Sequence, residues 1–294
     1  MKKLRTRKHA VVLNRSKGGD VGIAIGLGLI GVIMLFPLIY TIMNAFKPLE
    51  EFFYFPPIIF PHNPTTSNFS YLFQLMSTSW VPFSRYIFNT VFITVAGVLG
   101  NLVLCSMAAY ALSKIPFPGH KFLFQVCQKS LMFSATVAGV ITFIVMTLLG
   151  WVDTYFAIII PAWATPMNLY LMKQFMETNI SDEMLESARL DGSSEFRTFI
   201  SIAMPLVKPG WLTLIVYSFQ GLWSTGSSPY IYSEQLKTLN YAIGQILTGD
   251  AAMAVLRQGA GAASTVIMLV VPILVFIISE SNIIETMGSS GMKD

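Results

Sequence analysis

Six predominantly apolar stretches of this chain run for nineteen residues or more without a single Asp, Glu, Lys or Arg: Val21 to Phe46, Tyr86 to Ser113, Ser130 to Val152, Thr154 to Met172, Pro209 to Ser233 and Gln258 to Ser279. A helix that crosses the hydrocarbon core of a bilayer needs about 20 apolar residues, so each stretch has the length to span it. Inside lipid the backbone must satisfy its own hydrogen bonds, and a helix does that within one segment. The expected fold class is therefore an all-α membrane protein with six transmembrane helices in one domain, residues 21–281. Charge is what the composition lacks: 12% of residues are Asp, Glu, Lys or Arg while 54% are hydrophobic, against about a quarter charged in soluble domains. That balance argues against a soluble enzyme, a disordered tail and a nucleic-acid-binding domain.

A seventh charge-free run, Phe52 to Ser84, carries Pro56, Pro57, Pro61, Pro64 and Pro82 and cannot be one helix. It is expected as an extracytoplasmic loop over 47–85, with Phe52, Phe53, Tyr54 and Phe55 suited to the water–lipid boundary. The fourth span contains Pro161 and Pro166, which predicts a broken or kinked helix. Of nineteen lysines and arginines, only Lys47, Arg85, Lys237 and Arg257 fall on one side of a six-span arrangement. Positive charge marks the cytoplasmic side, so both termini are expected there, with a basic tail over 1–20 and a C-terminal tail over 282–294. The first apolar run is longer than a signal-peptide core and no A-x-A site follows it, so it reads as an uncleaved span.

Acids cluster where the bundle leaves the membrane between spans four and five. Glu177, Asp182, Glu183, Glu186, Asp191 and Glu195 are six of the fifteen in the chain. Within this cytoplasmic loop, 177–208, Ser181 can cap a short helix whose first turn holds Asp182 and Glu183. Met184, Leu185 and Ala188 give that helix an apolar face, and Gly192 can end it. Ser193 or Ser194 can start a second helix on which Phe196, Phe199, Ile200 and Ala203 follow helical spacing up to Pro205.

The residues Glu186-Ser187-Ala188, Gly192 four positions on, and Ile202-Ala203-Met204-Pro205 resemble the EAA-x3-G-x9-I-x-L-P loop of permease subunits in binding-protein-dependent ABC importers. Ser187 and Met204 depart from the pattern in letter but not in size. Lys47 to Phe69, Asn89-Thr90, Ala108 to Ser113 with Phe117 and Gly119, and Asn282 to Asp294 extend the similarity to carbohydrate-type permeases related to the smaller permease of the maltose system. The resemblance implies a type I ABC importer permease fold in the bacterial plasma membrane, with the first span wrapping a second, homologous permease. It implies further partners: two cytoplasmic ATPase subunits, an extracytoplasmic solute-binding protein and membrane lipid. Glu186, Ser187, Ala188, Arg189, Asp191, Gly192, Phe196, Ile202 and Pro205 would form the ATPase-coupling element. In it Ala188 would allow close approach to the ATPase, while Phe196, Phe199 and Ile200 would anchor the loop to the permease. ATP and magnesium would sit in the ATPases, and this chain would bind no cofactor. The solute would be a carbohydrate, an oligosaccharide before a polyol or glycerol-phosphate.

The residues themselves offer no catalytic constellation. There is no G-x-x-x-x-G-K-[ST] loop, and His9, His62 and His120 fall in three separate non-membrane segments, so no metal site is expected. Cys105 and Cys127 form no CxxC pair and read as inert thiols. A solute path needs polar and aromatic groups on irregular helices near mid-membrane. Trp163, Thr165, Asn168 and Tyr170 around the two prolines meet that description, with Gln220, Trp223 and Ser224 on span five and Ser134, Thr136 and Thr142 on span three. No full charge lies at the centre of a span, which fits energy supplied from outside the chain. A channel would need no ATPase-docking loop, and a membrane enzyme would need a catalytic cluster at one face.

Overall fold

Apolar runs this long leave the backbone nothing to bond but itself, and every regular element among the described residues is helical. The computed structural model describes residues 17–77, 80–133, 135–226, 228–248 and 254–290. Most of the expected basic tail, Ser134 and the last four residues lie outside the described residues. The helices are α1 (Lys17–Ala45), α2 (Ser67–Ser77), α3 (Phe83–Lys114), α4 (His120–Ser130), α5 (Ala135–Leu148), α6 (Phe156–Trp163) and α7 (Pro166–Asn179). After them come α8 (Asp182–Leu190), α9 (Glu195–Thr198), a π turn (Phe199–Ala203), α10 (Met204–Leu206), α11 (Lys208–Trp223), α12 (Leu239–Leu247) and α13 (Ala254–Ser290).

Three of these contain uninterrupted apolar stretches long enough to cross a membrane: Gly18–Ala45, Phe83–Lys114 and Arg257–Ser279. The other three expected spans are each interrupted, for reasons local to the sequence. Span three becomes α5, only 14 residues and about 21 Å long. It ends early because Gly150 takes φ +67° while Trp151 N–H bonds the Met146 carbonyl at 2.9 Å, the closure that a left-handed glycine permits. Span four does break as its prolines predict. Thr165 is extended at φ −82°, ψ 112° and Pro166 opens α7, because the residue before a proline is driven out of the helical region. Span five stops at Trp223, ten residues before the apolar run ends. The expected break at Pro205 falls instead at Val207. The helical segment Glu195–Leu206 continues through Pro205 and then turns by 83° into α11, with Pro209 in the first turn of α11, where its missing N–H costs nothing.

The 32-residue α3 is the axis of the fold, about 48 Å long, and α6, α7 and α11 pack along it. At its Lys114 end, Tyr110, Met172, Met176, Ile180, Leu185, Phe199 and Ala203 form one core. At its Phe83 end, Leu72, Met76, Tyr86, Leu239 and Ala260 form another. Between them Ile93, Ile159 and Leu222 meet with Trp163 packed against them. Asn68 fastens the proline-rich segment to this frame by donating to the Ala45 and Lys47 carbonyls at 2.9 and 2.8 Å. In the same segment Lys47 is buried and donates to the Ile58 carbonyl at 2.6 Å. Glu51, also buried, accepts the His62 and Asn63 N–H groups. In contrast α1 buries nothing in its apolar window.

Candidate functional site

At the Lys114 end of α3, the segment 177–208 folds as the two short helices its pattern predicts. Ser181 takes the N-cap position of α8 in an extended conformation, without a side-chain capping bond. Gly192 turns the chain at φ +80°, a left-handed value at which a Cβ is strained. Ser194 caps α9, its hydroxyl accepting the Arg197 N–H at 3.4 Å.

Polar bonds fix this pair of helices to α3. Arg189 donates from Nε to Glu195 Oε1 at 2.6 Å, and the Tyr110 hydroxyl donates to Glu195 Oε2 at 3.1 Å. The bond from Arg189 holds the Glu195 carboxyl below its usual range, and the same bond raises Arg189. Lys114 donates to the Ile180 carbonyl at 2.6 Å and to Asp182 at 2.8 Å.

The two faces of α8 differ. Leu185 and Ala188 are buried, whereas Met184, Glu186, Ser187 and Asp191 are exposed, and Leu190 is 90% exposed. Ala188 therefore turns into its own chain rather than outward to a partner. Of the expected anchors Phe199 alone is buried; Phe196 and Ile200 face out, at 63% and 51% exposure. The stripe divides between two sides: Phe199 and Ala203, four apart, share the buried one, while Phe196 and Ile200, also four apart, share the exposed one. Ile202 is half-buried and Pro205 exposed. Leu190 is not among the expected site residues; its signal in the sequence is an apolar residue between Arg189 and Asp191, off the Leu185–Ala188 face.

In the middle of the bundle most residues expected along a solute path are committed inward. Asn168 is buried and donates to Asn101 Oδ1 and to the Ser218 hydroxyl, both at 2.8 Å. Asn101 Nδ2 donates to the Ala162 carbonyl at 2.7 Å, satisfying the backbone freed where α6 ends. Trp163 donates to the Ala96 carbonyl at 3.0 Å, and the buried Trp223 to the Met268 carbonyl at 3.0 Å. The Thr165 hydroxyl bonds the Ala162 carbonyl at 2.9 Å, and Tyr170 stacks on Phe124. These side chains tie α3, α6, α7, α11 and α13 together. What remains open is one face of α11, where Tyr217, Gln220 and Ser224 are exposed. Thr142 bonds its own helix at the Ala138 carbonyl.

At the Phe83 end, loops from distant parts of the chain meet. Asn89 donates to the Gln235 and Lys237 carbonyls, both at 2.8 Å, and Tyr155 donates to Asn89 Oδ1 at 2.7 Å. Asp153, at φ +60°, accepts the N–H groups of Tyr232 and Ser233 at 2.9 and 2.8 Å and also the Ser233 hydroxyl. The Ser233 hydroxyl bond is the largest cause holding the Asp153 carboxyl below its ordinary value.

A helical frame with a broken fourth span, a two-helix loop clamped to one end and a polar mouth at the other matches known proteins. The profile of the family described as "Binding-protein-dependent transport system inner membrane component" matches residues 25–283. Protein LplC of Bacillus subtilis is 33% identical over 215 residues, which cover 72% of this chain and 70% of that protein. The arabinooligosaccharides transport system permease protein AraQ of Halalkalibacterium halodurans is 29% identical over 230 residues, 77% of this chain and 81% of its own. In fold, the chain is similar to a solved structure of a bacterial ABC transporter involved in the import of the acidic polysaccharide alginate, with a TM-score of 0.77 at 23% identity over 91% of this chain and 98% of that one. With the profile covering nearly the whole of the described bundle, the chain belongs to the family of binding-protein-dependent transport system inner membrane components.

Proposed function

We propose that the chain is one permease subunit of an ATP-driven, binding-protein-dependent importer, supplying half of a translocation path for a carbohydrate of the oligosaccharide class. A relative named for arabinooligosaccharide transport supports that solute class. The observation that carries the mechanism is the two-faced loop. Its inner side, Leu185, Ala188 and Phe199, belongs to the permease core, and its outer side presents Met184, Glu186, Ser187, Leu190 and Asp191 unburied. A leucine at 90% exposure on the tip of a clamped loop is suited to a socket on another protein. In this reading that protein is a cytoplasmic ATPase, one of two that hold ATP and magnesium, and the loop end of the bundle with both termini is cytoplasmic. The Arg189–Glu195–Tyr110 bonds make the loop and α3 move as one body, so a displacement of the ATPase reaches the long central helix.

The unburied apolar window of α1 and the Tyr217–Gln220–Ser224 face of α11 would meet a second, homologous permease and the path between the two subunits. An extracytoplasmic solute-binding protein would deliver substrate at the Phe83 end.

The test is to tag the chain in its host, extract it in mild detergent and identify what co-purifies, beside a Leu190→Glu variant. Leu190 supports nothing inside the chain, so the variant should reach the membrane at normal abundance yet recover at least tenfold less ATPase. Equal ATPase recovery by the variant would remove the loop from the coupling role, and recovery of the wild-type chain alone would end the importer reading.

A further inference from the structure

The open cleft at the Phe83 end is a built site that the importer reading leaves without a role. It encloses about 600 Å³ and is lined by Trp80, Ser84, Arg85, Phe88 and Gln235, a size within the usual range for small-ligand sites. Arg85 is held in place from behind. Its Nε donates to the Gln235 carbonyl at 3.2 Å and its Nη2 to the Tyr155 hydroxyl at 3.1 Å, and both partners are themselves fixed by Asn89. The guanidinium also lies over the Phe88 ring, 5.6 Å from its centroid.

None of the acceptors bonded to Arg85 among the described residues is a carboxylate. Glu234, one residue from Gln235, is engaged by the Tyr86 hydroxyl at 2.8 Å and by Lys237 at 3.5 Å. Arg85 thus keeps its charge and the remaining donors of its five-donor fork for something in the cleft. A fork of that geometry matches a planar carboxylate with two parallel bonds. Around it stand two aromatic faces, Trp80 at 89% exposure and Phe88 at 52%, flat apolar surfaces that fit the C–H face of a pyranose ring. Gln235, exposed in the same cleft, adds a carboxamide able both to donate to and accept from hydroxyls.

We propose that this cleft is a subsite for an anionic saccharide, with a uronic-acid carboxylate on Arg85 and the sugar face against Trp80 or Phe88. The inference rests on the importer reading and narrows it from carbohydrates in general to saccharides bearing carboxylates. The position at the mouth makes it a first stop for such a solute on leaving the binding protein.

The full chain, placed in phosphatidylcholine nanodiscs, is titrated with trigalacturonate and with uncharged galactotriose, following tryptophan fluorescence; Trp80→Phe identifies the signal from this cleft. Trigalacturonate should half-saturate at a concentration at least tenfold below that of galactotriose. Arg85→Gln should raise its half-saturation at least tenfold, to the neutral sugar's level, and Arg85→Lys should give an intermediate value. Equal response to the two sugars in the wild-type chain overturns the proposal without any appeal to a variant. So does a preference that survives Arg85→Gln, or a response that requires phosphatidylglycerol in the disc instead of saccharide, which would assign Arg85 to a lipid phosphate. ATP-driven uptake by the purified complex separates the two readings. Uptake of neutral saccharides with no galacturonate preference in the discs sinks this subsite alone, and absence of any saccharide uptake sinks the importer reading.

Discussion

Gly100 sits where the central helix passes the break in span four, and replacing it with alanine is a direct test of that packing. A Cβ built there would lie 2.0 Å from Trp163 Nε1 and 2.3 Å from its Cε2. Trp163 is the last residue of α6 and its Nε1 is bonded to the Ala96 carbonyl, so the ring cannot retreat without losing that bond or moving the break. Overpacking of this kind costs about 1–3 kcal/mol, and a lost hydrogen bond about 0.5–1.5 kcal/mol. Against these, alanine gains about 0.5–1 kcal/mol over glycine inside a helix. The net expectation for Gly100→Ala is a destabilisation of about 2 kcal/mol. Gly221→Ala is the control, because a Cβ there meets nothing within 4 Å; it should be neutral or stabilising by up to about 1 kcal/mol. The assay is equilibrium unfolding by SDS in mixed micelles, read by far-UV circular dichroism so that the tryptophan can also be changed. In a Trp163→Ala background the obstacle is gone, and Gly100→Ala should lose its cost. If Gly100→Ala matches Gly221→Ala, or costs the same in both backgrounds, the packing argument is wrong.

Asn168→Leu removes two buried bonds between helices, each worth about 0.6 kcal/mol in membrane proteins, and should lower stability in the same assay. Gln220→Ala, on the open face of α11, should leave stability unchanged while altering saccharide uptake; the reverse pattern would return Asn168 to the solute path. Because the Glu195 pKa is depressed in the folded state, its contribution is complete above the unfolded value near 4.5 and is lost as pH falls below it. Limited proteolysis between Leu190 and Arg197 should therefore accelerate as pH falls below about 4.5 in the wild type, and Glu195→Gln should cleave at the accelerated rate at pH 7.

Much of this was legible in the sequence because it rests on chemistry that acts over short distances. The charge-free runs forced helices, Pro166 forced the break after Thr165, and the spacing from Ser181 through Gly192 to Ser194 laid out two short helices at the positions where they occur. Side-chain direction was less accessible. Asn168, Trp163 and Trp223 have the polarity and the mid-span position of solute-contacting residues, and nothing in their own neighbourhood shows that Asn101, Ala96 and Met268 stand opposite them. The same holds for Ala188, whose small size fits a close approach to either side of α8.

The sequence by itself determined the class of the fold, the break before Pro166 and which loop folds as two short helices, since each follows from the transfer cost of a residue or the stereochemistry of a single φ angle. Only the tertiary structure decided which polar groups are spent on holding helices together and which are left for a partner or a solute. Asn101 and Asn168 lie 67 positions apart, and Arg85 lies 150 from Gln235. Whether such a side chain is satisfied depends on what folding brings within 3 Å of it, a quantity that no local pattern contains.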